Sequence, residues 1–211
     1  MKFSSEKMVF SKTSPLTDSY GREVNNLRIS VTQRCNLNCF FCHKEGEVTA
    51  KQEMTAEEIS EIAKVAGELG ITKIKLTGGE ALLRRDIIQI VSKISKYVDE
   101  VSLTTNGYFL GEKARALHQA GLSRVNVSFH SNNPHTFMKI TGRRGLHRVV
   151  NGITSALKYR LQPVKINMVV LKGLNNLEIP EMIKFAAKYN VILQLIEFQP
   201  VHNQIHAPWV R

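Results

Sequence analysis

Cysteine is nearly absent from this chain: of 211 residues only three are cysteines, and all three fall between Cys35 and Cys42. An odd number of thiols confined to one short stretch excludes a disulfide framework and points to a reducing compartment. Long apolar runs are absent too. No stretch approaches the roughly 20 residues of a membrane span, and the start, Met1-Lys2-Phe3-Ser4-Ser5-Glu6, has no apolar signal core. The expectation is therefore a cytoplasmic protein with no membrane partner. Acidic residues are scarce, 18 Asp and Glu against 29 Lys and Arg, which leaves a formal charge of +11. Such a balance favours an anionic partner: a nucleic acid, an acidic surface or a phosphorylated small molecule. No arginine-rich tail and no interleaving of aromatic with basic residues is present, so nucleic acid is not the expected partner.

What is present is concentrated in Cys35-Asn36-Leu37-Asn38-Cys39-Phe40-Phe41-Cys42. Three thiolates separated by three and then two residues can wrap one soft metal or one face of a cluster, but they leave the site one ligand short. Thiols that merely pack normally scatter along buried faces instead of clustering in a polar loop. A structural zinc site would need a fourth ligand; His43 adjoins Cys42, a poor position for sharing its metal, and the other six histidines are distant in sequence. The reading that suits the spacing best is an iron-sulfur cluster with one open iron, a position where a small molecule can bind and react.

Around this loop the chain alternates strands with helices. Residues 1–24 are polar and irregular and read as an N-terminal arm; the main domain is expected over 25–211. Leu27 to Thr32 alternates strictly and runs into the cysteine loop, which therefore sits at a strand's carboxyl end. Thr55 and Glu58 form a capping-box signal ahead of Ile59, Ile62, Val65, Ala66 and Leu69, and Gly70 stops that helix. Further strands are expected at Lys73 to Thr77, Val101 to Asn106, Arg124 to His130, Val164 to Leu171 and Val191 to Phe198. Helices are expected over Ile87 to Val98, Glu112 to Ala120, Leu146 to Arg160 and Ile179 to Tyr189. Alternation of this kind builds parallel βα units. The fold class is α/β, a partial (β/α)6-type TIM barrel truncated after the sixth strand.

One face of nearly every strand is polar, whereas a filled barrel would turn branched apolar residues inward. Arg28, Ser30 and Thr32 share a face of the first strand; Lys73, Lys75 and Thr77, then Ser102, Thr104 and Asn106, then Asn126, Ser128 and His130, and then Lys165 and Asn167 follow on the next four. An antiparallel sheet with one wet face would give the same alternation, but the intervening helices disfavour it. An open partial barrel with a hydrophilic lumen is the better account. Arg28, Lys75 and Lys165 would share that lumen, and three cations together call for an anion, with phosphate the natural one. At the same barrel end, Gly78-Gly79-Glu80 could let a ligand approach the backbone, with Glu80 facing an ammonium group. Arg84-Arg85-Asp86 reads as a helix start with solvated charges. Arg143-Arg144 reads as a solvated loop, and His130 and His135 as loop histidines.

Cys35xxxCys39xxCys42 followed by Gly78-Gly79-Glu80 on this βα pattern resembles the radical S-adenosylmethionine superfamily over essentially the whole chain. More narrowly, Tyr20-Gly21-Arg22, Leu27 to Thr32, Leu76 to Glu80, Thr104-Thr105-Asn106-Gly107, Val125 to Ser128 and Lys165-Ile166-Asn167 resemble the GTP 3′,8-cyclase family of molybdenum cofactor biosynthesis. The resemblance implies that Cys35, Cys39 and Cys42 hold a 4Fe-4S cluster whose open iron chelates S-adenosyl-L-methionine. Reductive cleavage would yield a 5′-deoxyadenosyl radical that abstracts hydrogen from the ribose of GTP, giving 3′,8-cyclo-7,8-dihydro-GTP, with an electron donor as partner. It further implies cofactor contacts from Phe41, Gly78, Gly79, Glu80, Ser128 and Gln199, and GTP contacts from Arg28, Lys75, Thr104 and Lys165. Two departures stand out. Ala81 replaces the family's usual proline, and no cysteine follows Cys42 to hold the family's second cluster, so the chain reads as a fragment or a shortened relative. The alternative is a radical S-adenosylmethionine enzyme that modifies a peptide or an RNA.

Overall fold

A computed structural model of the chain describes residues 16–43 and 52–200. Six strands form one sheet in the order of the chain, β1 (Asn26–Ser30), β2 (Lys73–Thr77), β3 (Glu100–Thr105), β4 (Arg124–Ser128), β5 (Lys165–Val170) and β6 (Ile192–Glu197). All five pairings are parallel, which removes the antiparallel alternative. Among the described residues six α-helices connect or flank them: α1 (Ala56–Glu68), α2 (Ile87–Ile94), α3 (Leu110–Gln119), α4 (Pro134–Thr141), α5 (Leu146–Lys158) and α6 (Ile179–Tyr189). Among the described residues no helix is long and apolar enough to cross a membrane.

The main core lies on one side of the sheet, because only one face of strands β1 to β4 is apolar; a smaller apolar cluster of Ile140, Leu171 and Phe198 packs with Phe40, Phe41 and Val169. Ile29, Ile74, Leu76, Val101, Leu103, Val125, Val127, Ile166 and Met168 are buried beneath helix stripes such as Ile59 and Ala63, Ile87 and Ile94, Leu110 and Leu117, and Val149 and Ile153. The opposite face keeps its polar alternation. The register sets Arg28 beside Lys75, Lys75 beside Ser102, Ser102 beside Arg124, and Asn126 beside Lys165. Flat strands about 4.8 Å apart would hold β2 and β5 well separated. Even so, Lys75, partly desolvated, feels the charges of Arg124, Arg28 and Lys165, so the cations of these strands share the polar face.

Local signals explain most boundaries. The Thr55 hydroxyl accepts from Glu58 N at 3.1 Å while the Glu58 carboxylate accepts from Thr55 N at 2.7 Å, closing the expected capping box. The α2 helix is shorter than expected, ending at Ile94 instead of Val98, where the Ser95 hydroxyl turns to the Ala120 carbonyl at 3.1 Å. The predicted arm divides: residues 1–15 lie outside the described residues, and within 16–24 Thr17 and Glu23 form an antiparallel bridge around a turn held by Asp18. One helix was missed altogether. Pro134–Thr141 is α4, with Asn133 Oδ1 accepting from His135 N and Thr136 N, proline in the first turn, and Gly142 at φ 69° ending it. Asn-Pro before an apolar pair and glycine after it are start and stop signals, but so short a helix shows little periodicity.

Candidate functional site

The cysteine loop lies across the carboxyl ends of the strands, held there by backbone. Asn38 N donates to the Thr141 carbonyl at 2.9 Å and Phe40 N to the Ile140 carbonyl at 3.3 Å, so the loop is pinned to the last turn of α4, where helix carbonyls lack partners of their own. A turn from Cys42 N to the Cys39 carbonyl, 3.0 Å, folds the second half of the motif back on itself. The Arg143 guanidinium, stacked over the Tyr108 ring at 4.8 Å, donates to the Asn36 carbonyl at 3.0 Å. Arg143 therefore braces the loop while remaining exposed, as its solvated reading has it.

Cys35 and Cys42 are exposed and Cys39 is half-buried. Burial pushes the Cys35 thiol up, helped by the charges of Glu80 and Cys42. Burial pushes Cys39 up to about 12, with Cys42 and Cys35 adding to it. Three bare thiolates at one place repel one another, and a cationic metal centre removes that cost, so the donor set fits a cluster. Among the described residues no group of three His, Cys, Asp or Glu side chains converges on a single metal ion. A zinc ion would need four ligands at about 2.0–2.3 Å from one centre, whereas cluster thiolates bind separate irons. The His43 ring also engages elsewhere, its Nε2 lying 2.8 Å from the Gln199 carbonyl.

The Gly78-Gly79-Glu80 turn is built differently from its sequence reading. A Cβ on Gly78 would lie 2.4 Å from the Thr32 carbonyl oxygen, and one on Gly79 would lie 2.5 Å from the carbonyl oxygens of Gln33 and Arg34. What approaches these glycines closely is the chain entering the cysteine loop. Gly79 N donates to Thr32 O and Glu80 N to Arg34 O, both at 2.8 Å, extending the β1–β2 ladder into the loop. The Glu80 side chain is likewise closed. Fully buried, its carboxylate accepts from Leu82 N at 2.9 Å, Thr105 Oγ1 at 2.7 Å and Asn106 N at 2.6 Å. Burial raises its pKa while those three donors oppose the rise. Instead of facing an ammonium group, the Glu80 carboxylate ties the turn to the end of β3.

Arg84 also departs from expectation. It is 5% exposed, donating to the carbonyls of Val31 at 3.0 Å and Met54 at 2.7 Å and pairing with Asp86 at 2.5 Å. It locks the end of β1 to the start of α1.

Deeper in the lumen the cations gather. Arg28, Lys75 and Lys165 have no carboxylate partner among the described residues. Desolvation lowers the Lys75 pKa, and the neighbouring cations Arg124, Arg28 and Lys165 lower it further. Arg124 was missed at the sequence level although it follows the same alternation as Asn126 and Ser128. It is neutralised by Glu100 at 2.8 Å and reaches Asn126 Oδ1 at 3.2 Å. Thr104 lies beside Asn126 in the register, and Ser128 beside Asn167; both are half-buried on the polar face. The Asn167 Oδ1 atom is buried without a protein donor.

At the mouth, the Phe41 ring meets the His130 ring edge-on at 4.9 Å and lies 6.4 Å from that of Phe198. His130 was expected as a loop residue. It is buried, its Nδ1 accepting from Val169 N at 3.1 Å, and desolvation lowers its pKa to about 4. Gln199, which follows β6, is brought beside the cysteine loop by the contact of its carbonyl with His43.

A parallel α/β partial barrel with three thiols across its mouth defines the class, and comparison with known proteins names it. The model of the Radical SAM superfamily matches residues 29–186, and the chain belongs to that superfamily. Curated relatives include a probable GTP 3′,8-cyclase of Thermococcus kodakarensis, 55% identical over 93% of this chain and 64% of its own length. Those of Pyrococcus abyssi, 50% identical over 87% and 60%, and Archaeoglobus fulgidus, 48% over 88% and 64%, bear the same name. The chain thus spans about six tenths of the length of these relatives. Among solved structures, native anSMEcpe with bound AdoMet superposes with a TM-score of 0.72 at 17% identity, covering 88% of this chain and 55% of that one. Streptococcus suis SuiB bound to S-adenosylmethionine gives 0.70 at 16%, covering 85% and 42%. These two likenesses concern the fold.

Proposed function

We propose that the chain is the radical S-adenosylmethionine barrel of a GTP 3′,8-cyclase, acting in molybdenum cofactor biosynthesis to cyclise GTP to 3′,8-cyclo-7,8-dihydro-GTP. The observation that carries this reading is the set of unpaired cations, Arg28, Lys75 and Lys165, on the lumen face below the thiol triplet. A triphosphate neutralises them, as the phosphates of an RNA also would and a neutral peptide would not, which favours a phosphorylated substrate over a peptide. The names and identities of the curated relatives support the same substrate.

Cys35, Cys39 and Cys42 are the residues that would hold a 4Fe-4S cluster. Bound there, the cluster and S-adenosylmethionine supply the single-electron chemistry that starts the reaction. The chain's own part is placement. Phe41, the peptide groups of Gly78 and Gly79, and Ser128 surround the cofactor position, with Gln199 beside His43. Arg28, Lys75 and Lys165 grip phosphates, and Thr104 lies between the two groups of residues. Glu80, having no free oxygen for a ligand, keeps the Gly-Gly turn and the end of β3 in register.

Calorimetry of GTP binding to the iron-loaded chain tests the assignment. Lys75→Ala and Lys165→Ala should each weaken binding by about tenfold or more, which is roughly 1.4 kcal/mol. Absence of GTP binding, or affinities unmoved by both substitutions, would end the nucleotide reading. Separately, dithionite with S-adenosylmethionine should release 5′-deoxyadenosine; if none forms, the enzyme reading fails as a whole.

A further inference from the structure

The Asn106 side chain lies at the meeting point of the Glu80 turn and the cysteine loop, and neither the sequence reading nor the proposed reaction gives it a role. Its backbone N–H donates to Glu80 Oε2 at 2.6 Å, fixing the residue at the end of β3. Its Oδ1 accepts from Tyr108 N at 3.0 Å, and this bond decides which way the amide faces, because only an oxygen can receive a backbone N–H. Nδ2 must then point the other way, where it lies 2.9 Å from Asn36 Oδ1 and 3.9 Å from Cys35 Sγ. The same reasoning orients Asn36. With its Oδ1 receiving the Asn106 donor, its own Nδ2 is directed away, and that atom is buried with no protein acceptor. Asn106 itself is only 9% exposed, so the amide is held at the buried side of the exposed Cys35 sulfur.

We propose that Asn106 is a positioning residue for the cluster: its amide donates a hydrogen bond to the Cys35 thiolate and, through Asn36, orients a second amide donor toward the cluster's surroundings. Hydrogen bonds to cluster sulfurs favour the more electron-rich state, so they raise the reduction potential. The fully buried Glu80 carboxylate holds Asn106 in place for this. The inference rests on the cluster reading of the three thiols and not on GTP.

The test uses the full chain reconstituted with iron and sulfide, without nucleotide, and reads the cluster's midpoint potential by EPR-monitored redox titration. Asn106→Ala removes the amide; Asn106→Asp is nearly isosteric and keeps an acceptor for Tyr108 N–H while losing the donor. Both should shift the midpoint to more negative potential. At the wild-type midpoint, the ratio of reduced to oxidised cluster should fall by about three- to tenfold, tenfold being 59 mV for a one-electron couple. Two iron-loaded variants with the wild-type midpoint would overturn the proposal. If both variants lose iron binding while their iron-free chains melt at the wild-type temperature, the donor is needed to hold the ligand and the proposal stands. If melting falls in parallel with loading, Asn106 is only a structural brace and the proposal is overturned. A failure of GTP binding leaves all of these outcomes unaffected.

Discussion

Two charged places in this barrel are handled in opposite ways. At the mouth, a single carboxylate, Glu80, is fully buried and met by three donors from its own chain. In the lumen, Arg28, Lys75 and Lys165 stand near one another with no carboxylate partner among the described residues, and of the cations that perturb Lys75 only Arg124 is paired. A buried charge met by full hydrogen bonding is a finished piece of architecture. Cations held together without a counter-ion are an unfinished one, stable because water still reaches them and suited to an anion that completes them. The mouth is thus a closed frame, and under the proposed function the lumen is its receptor.

The frame should break hardest. Gly79→Ala forces a Cβ to 2.5 Å from two backbone carbonyl oxygens of the segment leading into the cysteine loop, and neither can yield without moving the loop. A loss of about 4 kcal/mol is expected by urea unfolding of the iron-free chain, with little iron retained after reconstitution.

Next comes His130, held neutral by burial at the edge of the same mouth. Its folded pKa, about 4, lies below the ordinary value of 6.5, so the unfolded chain binds its proton more readily. Its contribution is complete above pH 6.5 and is lost as pH falls toward 4, a swing of about 3 kcal/mol. His130→Asn keeps an acceptor for Val169 N and should flatten that part of the stability profile; an unchanged slope would show that another group carries it.

Two helix caps sharpen the comparison at smaller scale. Asn133→Ala and Thr55→Ala should each lower stability by about 1 kcal/mol. Only the first caps α4, the helix that receives the cysteine loop, so only Asn133→Ala should also reduce iron incorporation.

The receptor should respond with the opposite sign. Lys75→Met removes a cation from a repulsive group, so the ligand-free chain should be unchanged or up to about 1 kcal/mol more stable, while GTP binding weakens. A marked loss of stability would mean that the lumen charges are structural after all.

Much of this was readable from residue order. Alternation within strands separated the lumen face from the core face, and the strict β/α succession gave a parallel sheet, because both patterns are local. The same alternation extends to Arg124, two residues before Asn126 on the same face. The α4 helix carried clear caps but too few turns for its periodicity to register. Glu80 was assigned outward, to a ligand, since nothing in a Gly-Gly-Glu sequence says which way its carboxylate turns. The donors that claim it, Thr105 and Asn106, come from another strand some 25 residues on. Arg84 reads as solvated in the sequence for the same reason, since its carbonyl partners at Val31 and Met54 are remote in sequence.

The sequence alone therefore determined the composition of the site: three thiols at a strand's carboxyl end, a glycine turn beside them, and cations on alternate positions of the strands. Covalent spacing and side-chain period suffice for that. Only the tertiary structure decided which charges are closed and which remain open. Whether a buried group is satisfied depends on donors and acceptors delivered by distant segments, and that distribution exists only once the sheet has curled and the cysteine loop has been laid across its end.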